Sequence, residues 1–184
     1  MNRRELLKLI TVATGTAMIG GNAVFAYSAS DNGKGRFSAR DTRLLDEVAE
    51  TILPRTDTPG AKDARVGEFM TVFVTDCYTP QEQAIFHDGL VKLDALSRAE
   101  YDRDFLNLDA GQRETLVRRL DAQAKTQAAS DGDPHYFTMI KQLTLFGFFT
   151  SEVGAKEVLR YVAVPGRYDG CAPYEQGQPA WATT

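Results

Sequence analysis

Residues 143–171, LTLFGFFTSEVGAKEVLRYVAVPGRYDGC, decide the fold of this chain. The stretch begins inside the most apolar run of the sequence and ends in a turn-rich, aromatic tail. On a helix that turns about 100° per residue, the apolar side chains of this run cover nearly the whole circumference: Phe137, Met139, Ile140, Leu143, Leu145, Phe146, Phe148 and Phe149. Such a helix has no polar face, so it lies at the centre of its own domain or is covered by another protein. Gly147 predicts a notch where another backbone could come close.

Four amphipathic helices are predicted before this central one, each with a single apolar stripe. Their start signals are Ser38 or Asp41 for the first helix, Thr79-Pro80 with Glu82 for the third and Asp109 for the fourth. The four stripes are Leu44, Leu45, Val48 and Ile52; Val66, Phe69, Met70, Phe73 and Cys77; Ile85, Phe86, Leu90, Leu93 and Leu96; and Leu116, Val117 and Leu120. Asp133-Pro134 opens the central helix, and Ser151 with Glu152 predicts a short final helix over residues 152–161.

No stretch alternates with period two, and Pro and Gly exclude regular structure after the final helix. The prediction is an all-α fold, a single compact helical domain with an irregular C-terminal strap. The domain occupies residues 38–161 and the strap residues 162–184. Residues 27–37 are polar and contain glycine, which predicts a flexible linker.

The first 26 residues have the layout of a twin-arginine export signal. Arg3 and Arg4 precede a weakly apolar stretch that ends in the small-residue site Val24-Phe25-Ala26. The alternatives are an ordinary secretory signal and a membrane anchor, but threonines and glycines dilute the stretch below a comfortable span. A twin-arginine signal predicts export of the folded protein to the periplasm, with no membrane span in the mature chain.

Composition and motifs give no sign of a catalytic, cofactor or metal site. The net charge of −4 makes nucleic acid an improbable partner. His87 and His135 are the only histidines, and neither has a second ligand at helical spacing. We therefore expect no catalytic, cofactor-binding or metal-binding residues in this chain.

Cys77 and Cys171 are the only cysteines. In an exported protein an even pair favours a disulfide, and this one would close a loop of about 95 residues, worth roughly 4–5 kcal/mol. Two free thiols are the second possibility. A bond from Cys171 to a partner subunit is the third.

Six segments together resemble the gluconate 2-dehydrogenase subunit 3 family: ETILPRTDTPGA, DCYTPQEQ, GLVKLD, GFFTSEVGAKEVLRY, VPGRYDGC and QPAW. The resemblance runs from about residue 40 to Trp181. It implies a noncatalytic small subunit that often carries the export signal for a larger flavoprotein of the glucose-methanol-choline type. FAD would then belong to the partner, and in several such systems a cytochrome c subunit passes the electrons on. The shared motif positions are structural or interfacial by this resemblance: Pro54, Gly60, Gly147, Ser151, Gly154, Pro165 and Gly166.

We predict that the strap and one side of the central helix bind this flavoprotein, because Tyr and Trp are enriched where a partner buries a surface. The predicted interface residues are Phe146, Gly147, Phe149, Tyr161, Tyr168, Tyr174 and Trp181. Two other functions stay open from the residues alone. One is a free-standing periplasmic helical binding protein, and the other is an enzyme with an unrecognised site.

Overall fold

A computed structural model describes residues 37–127, 132–164, 166–167 and 170–182. They form five α-helices: α1 (Ala39–Ile52), α2 (Val66–Cys77), α3 (Pro80–Tyr101), α4 (Ala110–Gln127) and α5 (Tyr136–Thr150). A 3-10 turn, Phe105–Asn107, precedes α4, and a π-helical turn, Gly154–Val158, follows α5. The described residues contain no strand, only an isolated parallel bridge between Arg160 and Trp181. The predicted all-α fold is confirmed. The export signal, Arg3 and Arg4 included, and all of the predicted linker except Phe37 lie outside the described residues.

The helix starts follow the predicted capping signals. Ser38 and Asp41 act together at α1, because the Ser38 hydroxyl accepts from the Asp41 N–H and the Asp41 carboxylate accepts from the Ser38 N–H. Thr79 and Glu82 form the same reciprocal box at α3. Each box satisfies two backbone donors that a helix N-terminus leaves free. Serine and threonine three residues before an acidic residue therefore fixed both starts.

Two other starts use less obvious caps. Asp109 caps α4 as predicted, since its Oδ1 accepts from the Gln112 N–H at 2.9 Å, and the Gln112 Oε1 in turn accepts from the Asp109 N–H at 3.1 Å. The cap of α5 is His135, not the Asp133-Pro134 pair, and its Nδ1 accepts from the Phe137 N–H at 3.2 Å. Histidine is an uncommon cap, which is why the pattern pointed two residues too early.

Helix α5 is the centre of the domain, since it contacts each of the other four helices. Its buried side chains Phe137, Ile140 and Phe148 meet stripes from every neighbour. The fully buried large side chains of these stripes are Leu44, Leu45 and Val48 of α1, Val66, Met70 and Val74 of α2, Phe86 and Leu93 of α3, and Leu116 and Leu120 of α4. The whole-circumference apolar pattern thus predicted the position of this helix correctly.

Two predictions, one about α2 and one about the final helix, need correction. Cys77 does not end a core-facing stripe: it is exposed, and Val74 takes the buried position in the last turn of α2. The final helical segment covers residues 152–158 and not 152–161. Its last five residues form a π-turn in which the Leu159 N–H donates to the Gly154 carbonyl at 3.0 Å. The Gly154 backbone lies so close to the Phe148 carbonyl that no side chain fits at this position.

Candidate partner interface

A group of large apolar side chains on α2 and α5 is exposed or partly exposed to solvent. We call it the α2–α5 patch and define it as Phe69, Val72, Phe73, Leu145, Phe146 and Phe149. Val72 is 60% exposed and Phe146 49%, and Leu145 and Phe149 are each above a third. The Phe146 ring joins the two helices, with its centroid 5.8 Å from Phe69 and 5.7 Å from Phe73. Phe69, Phe73 and Phe146 thus form one connected group of rings, and exposed aromatic surface of this kind is typical of protein-binding sites.

The patch is rigid because its rings continue into the core. Phe73 packs edge-on against Tyr78 at 5.8 Å, and Tyr78 packs in turn against the buried Phe86 at 6.4 Å. Edge-to-face pairs at such distances are favourable and hold each ring in place. The exposed aromatic side chains are therefore presented in a fixed arrangement before any partner binds.

Polar residues beside the patch do not make it hydrophilic. The hydroxyls of Thr71, Thr75 and Thr150 each donate to a carbonyl of their own helix, at 2.6–2.7 Å. The only charged side chain of α5, Lys141, is paired with Asp121 of α4 at 2.5 Å. Because these hydroxyls are satisfied and Lys141 is paired with α4, these four side chains add little desolvation cost when a partner buries this surface.

The C-terminal segment closes on itself beside the end of the final helical turn. Arg160 and Trp181 form the parallel bridge, and the Arg160 guanidinium lies 4.0 Å from the centre of the Trp181 ring. Tyr161 is 44% exposed and Tyr174 75%. The predicted strap is thus joined at its far end to the helical domain. Tyr168 and Pro165 lie outside the described residues.

Comparison with known families matches residues 39–166 to the model for gluconate 2-dehydrogenase subunit 3. The chain belongs to this family. The match spans all five helices and stops before most of the C-terminal segment, including the QPAW residues. No curated protein and no solved structure matches the chain.

Four of the residues that carry the resemblance, Gly60, Gly147, Ser151 and Gly154, have packing or hydrogen-bonding roles in the structure, whereas Pro54 is exposed and a β-carbon on Gly166 would meet no other atom. An ideal β-carbon on Gly60 would lie 2.5 Å from Glu50 Oε1, and one on Gly147 would lie 2.5 Å from Phe69 Cδ1. Ser151 donates to the Phe148 carbonyl at 2.6 Å and accepts from the Gly154 N–H at 3.0 Å. Gly147 is therefore buried under Phe69 of the same chain, which corrects its place among the predicted interface residues. Phe146 and Phe149 on either side of it remain exposed.

Both histidines of this family member have structural partners. His87 stacks on Phe37 with ring centroids 4.3 Å apart, and His135 caps α5. Burial lowers the pKa of His135, with Lys92 adding to the effect, which favours the neutral imidazole, the form that can accept a hydrogen bond. Among the described residues there is no group of three or more His, Cys, Asp or Glu side chains placed to hold a metal.

The charged cavity between α1 and α3 is about 310 Å³ in volume, and its arginines are already paired. Arg40 contacts Asp94 at 2.5 Å and Asp104 at 3.2 Å, while Arg98 also pairs with Asp104. The hydrogen bond from Arg98, followed by that from Arg40, lowers the pKa of Asp104. This network joins α1, α3 and the 3-10 turn and leaves no unbalanced charge to attract a small anion. The apolar periodicity of α3 did not predict that Asp94 is buried, because a charged residue beside an apolar stripe is normally expected to face solvent.

Cys77 and Cys171 are both free and both exposed in the structure. Each thiol is therefore open to oxidation or to a partner. The Cys77–Cys171 disulfide stays a prediction, and so does the bond from Cys171 to another subunit. Within the part of the chain that the structure describes, no helix is long and apolar enough to cross a membrane.

Proposed function

We propose that this chain is a noncatalytic small subunit that exports, stabilises and supports the maturation of an FAD-dependent dehydrogenase of the glucose-methanol-choline type. The partner would hold the FAD and oxidise a sugar, sugar acid or glycoside. Family membership supports a role within a dehydrogenase complex. The observation that carries the proposal is the α2–α5 patch, which offers a partner fixed aromatic side chains with no charge among them.

The chemistry of the patch favours a protein partner over a lipid surface. Side chains that bind anionic membranes are accompanied by Lys and Arg, whereas exposed Glu68 and Asp76 lie on the same helix as Phe69, Val72 and Phe73. Interface cores are depleted in charge and enriched in aromatic residues, which is the composition seen here. A catalytic subunit with a matching apolar surface would bury the patch permanently.

The amino-terminal leader would account for the export of the complex. A leader with Arg3 and Arg4 on a tightly bound small subunit would carry the folded flavoprotein with it to the periplasm. A small subunit of this kind contributes no group to the oxidation itself. Its effect on activity would come from the stability, flavin content and location of its partner.

The test is a pair of matched aspartate substitutions on exposed apolar residues. Phe146→Asp places a charge in the patch, while Val91→Asp places one on α3, where Val91 is 71% exposed and outside the patch. Each variant is co-expressed with the large flavoprotein subunit, and the yield of complex, the FAD content and the dehydrogenase activity are measured. We expect Phe146→Asp to lose most of the complex and Val91→Asp to keep it, with both variants showing wild-type helical circular dichroism.

Two results would contradict the proposal. Full recovery of the complex by Phe146→Asp would remove the patch as the interface. Turnover of a sugar by the isolated chain would show that it is an enzyme in its own right. An isolated chain that is soluble, monomeric and indifferent to the flavoprotein would instead favour the free-standing binding protein.

A further inference from the structure

Arg160 and the described residues that follow it, 161–164, 166–167 and 170–182, are joined end to end by contacts of Arg160, and we call them the C-terminal loop, with its neck at Arg160. The Arg160 N–H donates to the Ala180 carbonyl at 2.8 Å, and the Ala182 N–H donates to the Arg160 carbonyl at 2.9 Å. The Arg160 side chain adds two more contacts, since its guanidinium covers the Trp181 ring at 4.0 Å and Nη1 donates to Gln178 Oε1 at 3.1 Å. Arg160 therefore holds both the backbone and the side chains of the returning strand.

The neck is fixed to the helical domain on its other side. Val158, two residues before Arg160, packs against the core, and the Leu159 N–H donates to the Gly154 carbonyl at 3.0 Å. Gly154 is tied in turn to Ser151 at the end of α5. The loop consequently begins from a defined point after the final helical segment, which is itself held to the end of α5.

The loop exposes its apolar side chains. Tyr161, Val162, Val164 and Tyr174 are between 40% and 79% exposed. The side chains of a closed loop normally pack inward against one another. Because these four point outward, they do not stabilise the fold of this chain. Gly177, at φ 86°, supplies the left-handed turn that brings the chain back to Arg160.

We propose that Arg160 is a positioning residue that closes a preformed docking loop, and that the exposed side chains of this loop bind the catalytic flavoprotein subunit. The inference rests on the proposed function and adds a second contact region to the α2–α5 patch. The flavoprotein is the partner because the neck of the loop is tied through Gly154 and Ser151 to the end of α5, the helix that carries Phe146 and Phe149 of that patch. Closing a flexible segment of this length costs entropy that grows with its length, and a loop already closed does not incur that cost on binding.

The contribution of the closed loop to binding is measured by the rate at which the purified complex of this chain and the flavoprotein dissociates. We expect Arg160→Ala and Trp181→Ala each to increase the dissociation rate about fivefold. This factor corresponds to the loss of one exposed cation–π contact of roughly 1 kcal/mol. Arg160→Lys and Trp181→Phe keep a cation above an aromatic ring and should stay near the wild-type rate. Arg118→Ala is the matched control, because Arg118 is an exposed arginine of α4 paired with Glu114 of its own helix.

The double variant Arg160→Ala with Trp181→Ala shows whether Arg160 acts by holding Trp181 in place or by contacting the flavoprotein directly. If Arg160 acts through Trp181, the double variant dissociates no faster than either single one. Rates that multiply, or a loss in Arg160→Lys as large as that in Arg160→Ala, would mean that Arg160 touches the partner itself and would overturn the inference.

Loop closure has its own readout in the isolated chain. Trp181 is the only tryptophan of the sequence, so fluorescence reports on this residue alone. We expect Arg160→Ala to increase quenching of Trp181 by acrylamide, and unchanged quenching would refute the closed loop. If the wild-type chain binds no flavoprotein, the proposed function fails. If the complex forms and Arg160→Ala dissociates at the wild-type rate, only the docking loop fails.

Discussion

The Phe69 ring of α2 occupies the space that a side chain at Gly147 of α5 would need. An ideal β-carbon on Gly147 would lie 2.5 Å from Phe69 Cδ1 and 3.0 Å from Cε1. The same ring touches Phe146 and Phe73, so the contact also fixes the α2–α5 patch. The notch that the sequence offered to a partner is thus filled from within the domain.

Gly147→Ala should destabilise the domain, because Phe69 must move away from a tightly packed position. We expect the free energy of unfolding to fall by about 1–3 kcal/mol, as for other overpacking substitutions. Urea denaturation followed by circular dichroism measures it. Gly111→Ala is the control: its β-carbon would meet only Asp109 Oδ1 at 3.5 Å, and replacing helical Gly by Ala stabilises by up to about 1 kcal/mol. Equal stability of the two variants would contradict the packing role of Gly147.

Tyr136 buries its hydroxyl without a hydrogen-bond partner among the described residues. Tyr136→Phe removes this unsatisfied group and keeps the ring that packs over Gly89, so we expect it to be neutral or to stabilise by about 1 kcal/mol. A clear loss of stability in thermal unfolding at neutral pH would show that the hydroxyl is bonded after all.

The same residue predicts a dependence on alkaline pH. Burial raises the pKa of Tyr136 to about 12 from its ordinary value of 10. Because the pKa is higher in the folded state, the stabilising contribution is complete below pH 10 and is lost as the pH rises towards 12. We expect the free energy of unfolding to fall more steeply across this interval in the wild type than in Tyr136→Phe. Parallel curves for the two proteins would refute the shift.

Asp94 joins three elements through one buried carboxylate. It accepts from Arg40 Nη2 of α1 at 2.5 Å and from the Phe105 N–H of the 3-10 turn at 3.1 Å. Asp94→Ala leaves that N–H without its acceptor and Arg40 without its nearest partner, and we expect a loss of about 2–3 kcal/mol. Asp88→Ala, on the exposed side of α3, should change stability by less than about 0.5 kcal/mol. Chemical denaturation of both variants measures the two changes in the free energy of unfolding. A loss in Asp94→Ala as small as that in Asp88→Ala would contradict the structural role of the Asp94 network.

The cysteines give a prediction for the exported protein. If Cys77 and Cys171 are bridged after export, alkylation without reductant leaves the intact mass unchanged, and both thiols react after reduction. Two alkylated cysteines in the unreduced protein would end the disulfide hypothesis. A heterodimer that separates only with reductant would show that Cys171, or Cys77, bonds to the partner instead.

The leader predicts where the complex is found. Lysine lacks the planar fork of donors that arginine presents, so we expect Arg3→Lys with Arg4→Lys to keep this chain and its flavoprotein in the cytoplasm. Dehydrogenase activity in periplasmic and cytoplasmic fractions measures the distribution. Lys8→Arg, which keeps the charge of the leader and both native arginines, is the control. Normal periplasmic activity in the double variant would refute the twin-arginine route.

The sequence by itself determined the helices and the central place of α5, because both follow from local signals. Serine or threonine three residues before an acidic side chain satisfies free backbone donors at any helix start, and the apolar circumference of α5 leaves no face for water. Capping pairs and apolar periodicity depend only on residues close together in the sequence. They can therefore be recognised without knowing which elements pack against each other. The cap at His135 was missed because histidine seldom caps a helix and gives a weak local signal.

Only the tertiary structure decided which apolar side chains stay exposed and which residues close the C-terminal loop. Gly147 and Phe146 are neighbours in an equally apolar run, yet Phe69 buries the first and leaves the second open. Arg160 and Trp181 are joined across a turn-rich segment that carries no periodicity. Such pairings depend on the distances between elements, which are set by how all five helices pack, and no pattern along the chain records them.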